Sequence, residues 1–439
     1  MFFDRETETM PRSQLELTQL ERLKWVVRHC YENVEFYHYR MEKAGVTPDK
    51  IKTLSDIQYI PYTTKADLRD NYPFGMFGAS MKKIVRIHAS SGTTGKPTVV
   101  GYTKRDLENW SSLVARLVMA AGASEDDIVQ IAFGYGLFTG ALGLHYGLEK
   151  IGATVVPTSS GNTQKQVMLM KDFGTTAVVS TPSYALYMAE VAQEMGYQKK
   201  DFKLRLGLFG SEGCTEEMRD KIEQAWGLFA TDNYGMSELM GPGVAGECQE
   251  RRGMHIAEDH FLAELIDTKT EDVITHEGRA GELVITTLTK EGFPVLRYRT
   301  KDITKLDFEP CPCGRTHARM HKIMGRSDDM LKIRGVNVFP SQIESVLIAI
   351  PQVGPHYQLI VRREGYLDTL EVLVELIDSS LLEKYAQLEA LQREIHDKLK
   401  TVLGIECKVN LAEPKTIQRF QGKAQRIVDL RNQKEVSPQ

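Results

Sequence analysis

The chain has 439 residues, 42% of them apolar and 26% charged, with a formal net charge of −4. That length predicts two or three domains around a large core, and the near-balanced charge excludes the basic footprint of a nucleic-acid or anionic-membrane binder. No apolar run reaches the ~18 residues of a membrane span, the charged first residues lack the apolar centre of a signal peptide, and six cysteines in so long a chain exclude a disulfide scaffold, so the expected location is cytoplasmic.

Residues 13–44 read as two helices, with Leu15, Leu20, Leu23, Val26 and Val27 at helical spacing. Next comes Ser90-Ser91-Gly92-Thr93-Thr94-Gly95-Lys96-Pro97. Its glycines let an anion approach the backbone, its hydroxyls and N–H groups can donate to phosphate oxygens, and Lys96 adds a positive charge. It is not a Walker A loop. Two residues, not four, separate Gly92 from Gly95, and Pro97 stands where Ser or Thr is required. Thr103 and Asp106 have the spacing of a capping box that opens a helix to about residue 121. In 133–140, Phe133, Tyr135 and Phe138 alternate with glycines. Glycines leave room and aromatic rings make flat apolar walls, which favours a planar aryl group, with Met240 and Pro242 closing the other side.

Strand-like runs at 154–157, 176–180, 204–209 and 283–287 are separated by helical segments, which predicts a largely parallel sheet with covered faces. Glu212 and Gly213 follow the third of these runs, at the end where open α/β sheets place ligands. A boundary falls at 326–328. Beyond it, Ser341 and Glu344 are spaced as a helix cap. Strands at 357–362 and 370–377, a helix over 381–403 and a strand at 406–411 complete a small α+β unit.

Five stretches resemble, in order, the motifs of the adenylate-forming superfamily, which includes acyl-CoA synthetases and peptide-synthetase adenylation domains. They are the loop Ser90 to Lys96; Asn233-Tyr234-Gly235-Met236-Ser237-Glu238; Tyr298-Arg299-Thr300-Lys301-Asp302; Gly325-Arg326-Ser327-Asp328 with Lys332-Ile333-Arg334-Gly335; and Gly422-Lys423-Ala424. The wording from Arg334 to Glu344 is similar to the phenylacetate–CoA ligase branch. The resemblance implies an α/β adenylate-forming fold: a large N-terminal domain over 1–326 and a small mobile α+β lid over 327–439, with the active site between them.

By the same resemblance, Ser90, Ser91, Gly92, Thr93, Thr94, Gly95 and Lys96 hold the ATP phosphates. Glu212, Asn233, Tyr234, Gly235, Met236 and Ser237 border the nucleotide, Asp302 takes the ribose hydroxyls, and Arg326 reaches ribose or phosphate. Glu238 is a hard oxygen ligand suited to magnesium, which prefers one or two carboxylates beside phosphate oxygens. Lys423 is the expected catalytic residue for adenylation, entering the site when the lid closes. Asp328 is the hinge, and Lys332, Arg334 and Gly335 face coenzyme A. Tyr135, Phe138, Gly213, Met240 and Pro242 are the expected acyl pocket.

Cys311 and Cys313, with Cys248 and His255 upstream, can make a closed tetrahedral zinc site, and His317 and His321 compete as the fourth ligand. Cys30, Cys214 and Cys407 read as core residues. The expected reaction joins an aryl acid to CoA as ATP is cleaved to AMP and pyrophosphate through an acyl-adenylate. The alternatives are an adenylyl-transferring enzyme with another acceptor, a phosphohydrolase making ADP, and a silent zinc-stapled binding protein. The expected partners are the aryl acid, ATP and CoA, with no nucleic acid or membrane, and the resemblance implies a homodimer.

Overall fold

Alternating strand and helix between residues 128 and 236 builds the parallel half of one nine-stranded sheet. The computed structural model describes residues 1–90, 97–276, 278–328, 331–333, 336–364, 367–420 and 424–431. Thr154–Val156, Ile128–Ile131, Ala177–Ser180, Leu206–Gly210 and Phe229–Met236 pair in parallel in that spatial order. Gly241–Glu247 then turns back antiparallel, followed across the sheet by Met254–Ile256, Arg319–Met320 and Leu306–Asp307. The expected parallel sheet is therefore parallel only over its first five strands. A second, antiparallel sheet holds Phe261–Ile266, Gly281–Thr287, Tyr298–Thr304 and Gly325–Arg326. The expected strand at 283–287 lies there instead.

The predicted helix after Thr103 is Lys104–Ala121, and Thr103 and Asp106 form the capping box. It packs on Thr139–Lys150 at very close range. A Cβ on Gly143 would lie 2.5 Å from the Trp110 ring, and one on Gly147 would overlap Val114. Bare backbone on that face lets the two helices touch.

The C-terminal unit is a four-stranded sheet in the order Lys408–Ala412, Leu367–Leu376, Val353–Glu364, Ile427–Asp429, covered by the helices Pro340–Ile348 and Tyr385–Leu403. Its own core includes the fully buried Ile343, Leu359, Val372 and Ile395. The cap at its first helix differs from expectation. Phe339 is the N-cap, with its N–H donating to Gln342 Oε1 at 3.0 Å, while Ser341 Oγ donates to the Met324 carbonyl at 2.7 Å. Pro340, with its fixed φ, occupies the first helical position, which puts the cap two residues before Ser341.

Candidate active site

The candidate site lies where the parallel strands of the large sheet end, with the second sheet on one flank and the C-terminal unit on the other. Ser90 closes the base of the phosphate-loop motif. Its N–H donates to the Thr98 carbonyl at 2.9 Å, and its Oγ accepts from Thr98 N at 3.2 Å. Ser91, Gly92, Thr93, Thr94, Gly95 and Lys96 lie outside the described residues, as do Arg334, Gly335 and Lys423 and the side chain of Lys332.

Phe229–Met236 brings Asn233 and Tyr234 to the sheet's edge. Asn233 Nδ2 donates to the Phe209 carbonyl of the neighbouring strand. The Tyr234 hydroxyl donates to Asp302 Oδ2 at 2.6 Å, and Arg326 Nη1 donates to Asp302 Oδ1 at 2.7 Å. Arg326 also pairs with Asp328 at 3.0 Å. Burial raises the Asp302 carboxyl above its ordinary range, opposed by Arg326 and by the Tyr234 hydroxyl. The cost of burying a charge is thus met by one cation and one donor, and the carboxylate sits where two strands of the second sheet, Tyr298–Thr304 and Gly325–Arg326, run side by side.

The turn after Tyr234 carries Ser237, Glu238, Met240 and Pro242, and four side chains from elsewhere fasten it. Thr139 Oγ1 meets Ser237 Oγ at 3.0 Å, Lys290 Nζ donates to the Leu239 carbonyl at 2.8 Å, the Tyr102 hydroxyl donates to the Met240 carbonyl at 3.0 Å, and Trp110 Nε1 donates to the Pro242 carbonyl at 2.8 Å. Glu238, Met240 and Pro242 are buried. Lys290 is fully buried over the Tyr102 ring, and burial pushes its ammonium down to about 7, against the pull of Asp106 and Glu238. Sequence reasoning missed these fasteners. Lys290 left one signal, a lone cation in an otherwise apolar and hydroxyl-rich run.

Tyr135 is half-buried, and its hydroxyl lies 3.0 Å from His145 Nδ1, whose Nε2 is 3.0 Å from Glu149. Phe138 is 51% exposed and opens the helix Thr139–Lys150, and Gly213 is exposed. The Leu137 carbonyl accepts from Ala89 N at 2.9 Å, so the aromatic loop is stitched to the strand that leads into the phosphate loop. Ser211 holds a left-handed backbone, φ +73°, a strained conformation for a residue with a side chain. It turns Glu212 so that Oε1 accepts from Ser183 N at 2.6 Å and Oε2 from Ala424 N at 3.3 Å. Glu212 was expected beside the nucleotide, but its carboxylate is turned to two backbone amides.

A second cluster lies behind the sheet. Ligand atoms of Cys248, His255, Cys311 and Cys313 all fall within 4.8 Å of one another. Cys248 Sγ and Cys311 Sγ are 3.8 Å apart, and Cys313 Sγ and His255 Nε2 are 3.4 Å apart. Tetrahedral zinc with bonds of about 2.3 Å to sulfur and 2.0–2.1 Å to nitrogen separates its ligands by about 3.5–3.8 Å, so the donor set fits such an ion. The other ring nitrogen of His255 lies 3.3 Å from the His317 carbonyl, the outer contact that orients a ligating imidazole. His317 is committed elsewhere. Its Nδ1 accepts from Glu258 N, and its Nε2 reaches the Thr7 carbonyl at 3.0 Å. His321 is exposed. Cys30, Cys214 and Cys407 are buried, as expected.

The AMP-binding enzyme family matches residues 21–288, and the AMP-binding enzyme C-terminal domain matches residues 335–431. The chain is 50% identical over 427 residues to the phenylacetate-coenzyme A ligase of Aromatoleum evansii, covering 97% of this chain and 96% of that one. It is 48% identical to the ligase of the same name from Thermus thermophilus, covering 98% and 100%. Among solved structures, 2-hydroxyisobutyryl-CoA ligase in its postadenylation state superposes with a TM-score of 0.91 at 30% identity, covering 97% of this chain and 91% of that one. Its thioesterification state, with the adenylate and CoA bound, gives 0.72 over 98% and 93%. No helix among the described residues is long and apolar enough to cross a membrane. The five motifs, the fold and these relatives agree: the chain belongs to the adenylate-forming AMP-binding enzyme family, in its phenylacetate–CoA ligase branch.

Proposed function

We propose that the protein is an AMP-forming phenylacetate–CoA ligase of the cytoplasm. The observation that carries this reading is the meeting of Tyr234, Asp302 and Arg326 beside the buried Glu238, within a chain about half identical to phenylacetate-coenzyme A ligases over nearly its whole length. In the first half-reaction a carboxylate oxygen of the acid attacks the α-phosphorus of ATP, the bond to the bridging oxygen breaks, and pyrophosphate leaves. In the second, the CoA sulfur attacks the acyl carbonyl and AMP leaves.

Ser90 to Lys96 are assigned to the β- and γ-phosphates, Asp302 to the ribose hydroxyls, and Lys423 to the charge that develops between the carboxylate and the α-phosphate. Glu238 is assigned to magnesium, which neutralises phosphate charge when bound. Its burial and the four fasteners of its turn support a fixed, water-poor carboxylate there. Tyr135, Phe138 and Gly213 border the aryl side, with Met240 and Pro242 behind the wall. Residues 327–439 form the lid, with Asp328 at the hinge and Lys332, Arg334 and Gly335 toward CoA. Zinc is assigned to Cys248, His255, Cys311 and Cys313 as a structural ion, because the site is closed and spends four protein ligands. A homodimer is the assembly carried over from the family resemblance, and sedimentation velocity tests it.

The test of function is product analysis with ATP, Mg²⁺, CoA and a panel of aryl and aliphatic acids. Phenylacetyl-CoA, AMP and pyrophosphate in equal amounts are expected. AMP without a thioester points to another acceptor, and ADP or no turnover overturns the reading.

A further inference from the structure

The lid rests in part on the helix Pro182–Glu194 of the large domain. Near the end of that helix, Glu190 pairs with His356 at 2.9 Å and stands 3.6 Å from Arg419, and Glu194 pairs with Lys415 at 2.5 Å. Arg419 is itself gripped inside the lid by both oxygens of Glu375 at 2.8 Å, so its charge is presented on a rigid mount. At the helix's first turn, Ser183 N is an amide with no partner inside the helix. Glu212 covers it with one carboxylate oxygen, where the helix dipole favours an anion, and offers the other oxygen to Ala424 N. Ala424 directly follows Lys423 in the chain. Three carboxylates on or fastened to one helix therefore receive two lid cations, Lys415 and Arg419, the His356 imidazole and the lid amide next to the lysine.

The orientation matters because two states of one relative differ so much in their match to this chain. At nearly equal coverage, the structure superposes at 0.91 on the postadenylation state and at 0.72 on the thioesterification state. The contacts above belong to the first arrangement.

We propose that Pro182–Glu194 is the docking ridge that holds the lid in the adenylation orientation, and that Glu212 is a positioning residue for the segment bearing Lys423. This rests on the two-step ligase reading above. The ridge acts in the first half-reaction and must be released for the second. Removing it therefore separates the two, whereas a residue that merely supports the fold slows both alike.

The test uses the full chain and measures the half-reactions separately: adenylate formation from phenylacetate and Mg²⁺-ATP without CoA, and thioester formation from supplied phenylacetyl-adenylate and CoA. Glu190→Lys turns the chief attraction into repulsion at a partly exposed site that folding tolerates. Adenylate formation is expected to fall about tenfold or more, the size carried by lost charge-assisted contacts, with thioester formation held within about twofold. Glu212→Gln, which can accept from only one of the two amides, is expected to slow adenylation more than thioester formation. Equal slowing of both steps, or of neither, overturns the proposal. Hydrogen exchange provides a readout independent of turnover. Peptides over 411–431 lose protection in Glu190→Lys if the ridge holds the lid, and unchanged protection overturns it. A wild type that makes no phenylacetyl-adenylate refutes the ligase reading, while the exchange comparison still decides the ridge.

Discussion

The Tyr234 hydroxyl and the Asp302 carboxylate are 68 positions apart in the chain and 2.6 Å apart in space. Each comes from a different sheet, so this single hydrogen bond joins the edge of the large sheet to the flanking one. With Arg326 on its other oxygen, Asp302 is held still before any nucleotide arrives. A carboxylate fixed in place loses little freedom when it accepts ribose hydroxyls. Asp302→Asn is expected to raise KM for ATP about tenfold or more, matching the ~1.5–3 kcal/mol of hydrogen bonds to a charged group. Tyr234→Phe, which leaves Arg326 in place, should raise it less. Steady-state kinetics at varied ATP distinguish the two, and equal effects would show that Asp302 is not the ribose acceptor.

Lys423→Ala should abolish adenylate formation and spare thioester formation from supplied phenylacetyl-adenylate. The lysine's assigned work is neutralising charge that develops only in the first step, so its loss acts on that barrier alone. Survival of both half-reactions would remove Lys423 from the chemistry.

Asp232, buried one residue before Asn233, gives a pH dependence with a definite sign. Burial, then the nearby charge of Glu247, pushes its carboxyl up to about 7. The folded state therefore holds a proton that the unfolded chain has released by the ordinary carboxyl range. Stability from this group is full at low pH and is lost as pH rises through 7. Asp232→Asn keeps the shape and removes the titration. Its stability relative to wild type should rise by about 2 kcal/mol between pH 5 and pH 8, read from denaturant midpoints at the two values. A pH-independent difference would contradict the assignment.

The cluster of Cys248, His255, Cys311 and Cys313 is continuous with the fastening of the N-terminus. Two residues beyond Cys313, Arg315 pairs with Glu8 at 2.6 Å and donates to the Met1 carbonyl, and Thr316 and His317 bind the carbonyls of Met10 and Thr7. Elemental analysis of the wild type should find one zinc per chain. Cys311→Ser should lose it, lower the melting temperature, and open residues 1–10 to protease while kcat at low temperature changes little. Wild-type protein free of zinc would end the assignment.

The sequence disclosed the chemistry better than the scaffold. The family motifs were legible because local runs mark them, as was the meeting of Cys313 with Cys248, Cys311 and His255, and Thr103 with Asp106 showed its cap for the same reason. The strand Ile427–Asp429 went unseen. It is three residues long and lies parallel to Val353–Glu364, so no hairpin or alternation announces it. The Phe339 cap was misplaced by two residues because Ser341 offered a better side chain on paper. The amides that Glu212 touches were not legible: they depend on the left-handed turn at Ser211 and on a C-terminal segment more than two hundred residues downstream. Lys290, Tyr102 and Trp110 act through carbonyls of a distant turn, and that kind of contact has no periodic trace.

The glycine face of Thr139–Lys150 has a further consequence for substrate range. Gly143 would strike both Trp110 and Pro242 if it carried a methyl group, and Trp110 also tethers the Pro242 carbonyl. The spacing between the helix Thr139–Lys150, the helix Lys104–Ala121 and the 237–242 turn is thus set by how closely main chains approach. On the proposed assignment of the acid to this region, a broader acid would first require prising these elements apart, which would couple any enlargement of specificity to the integrity of the core.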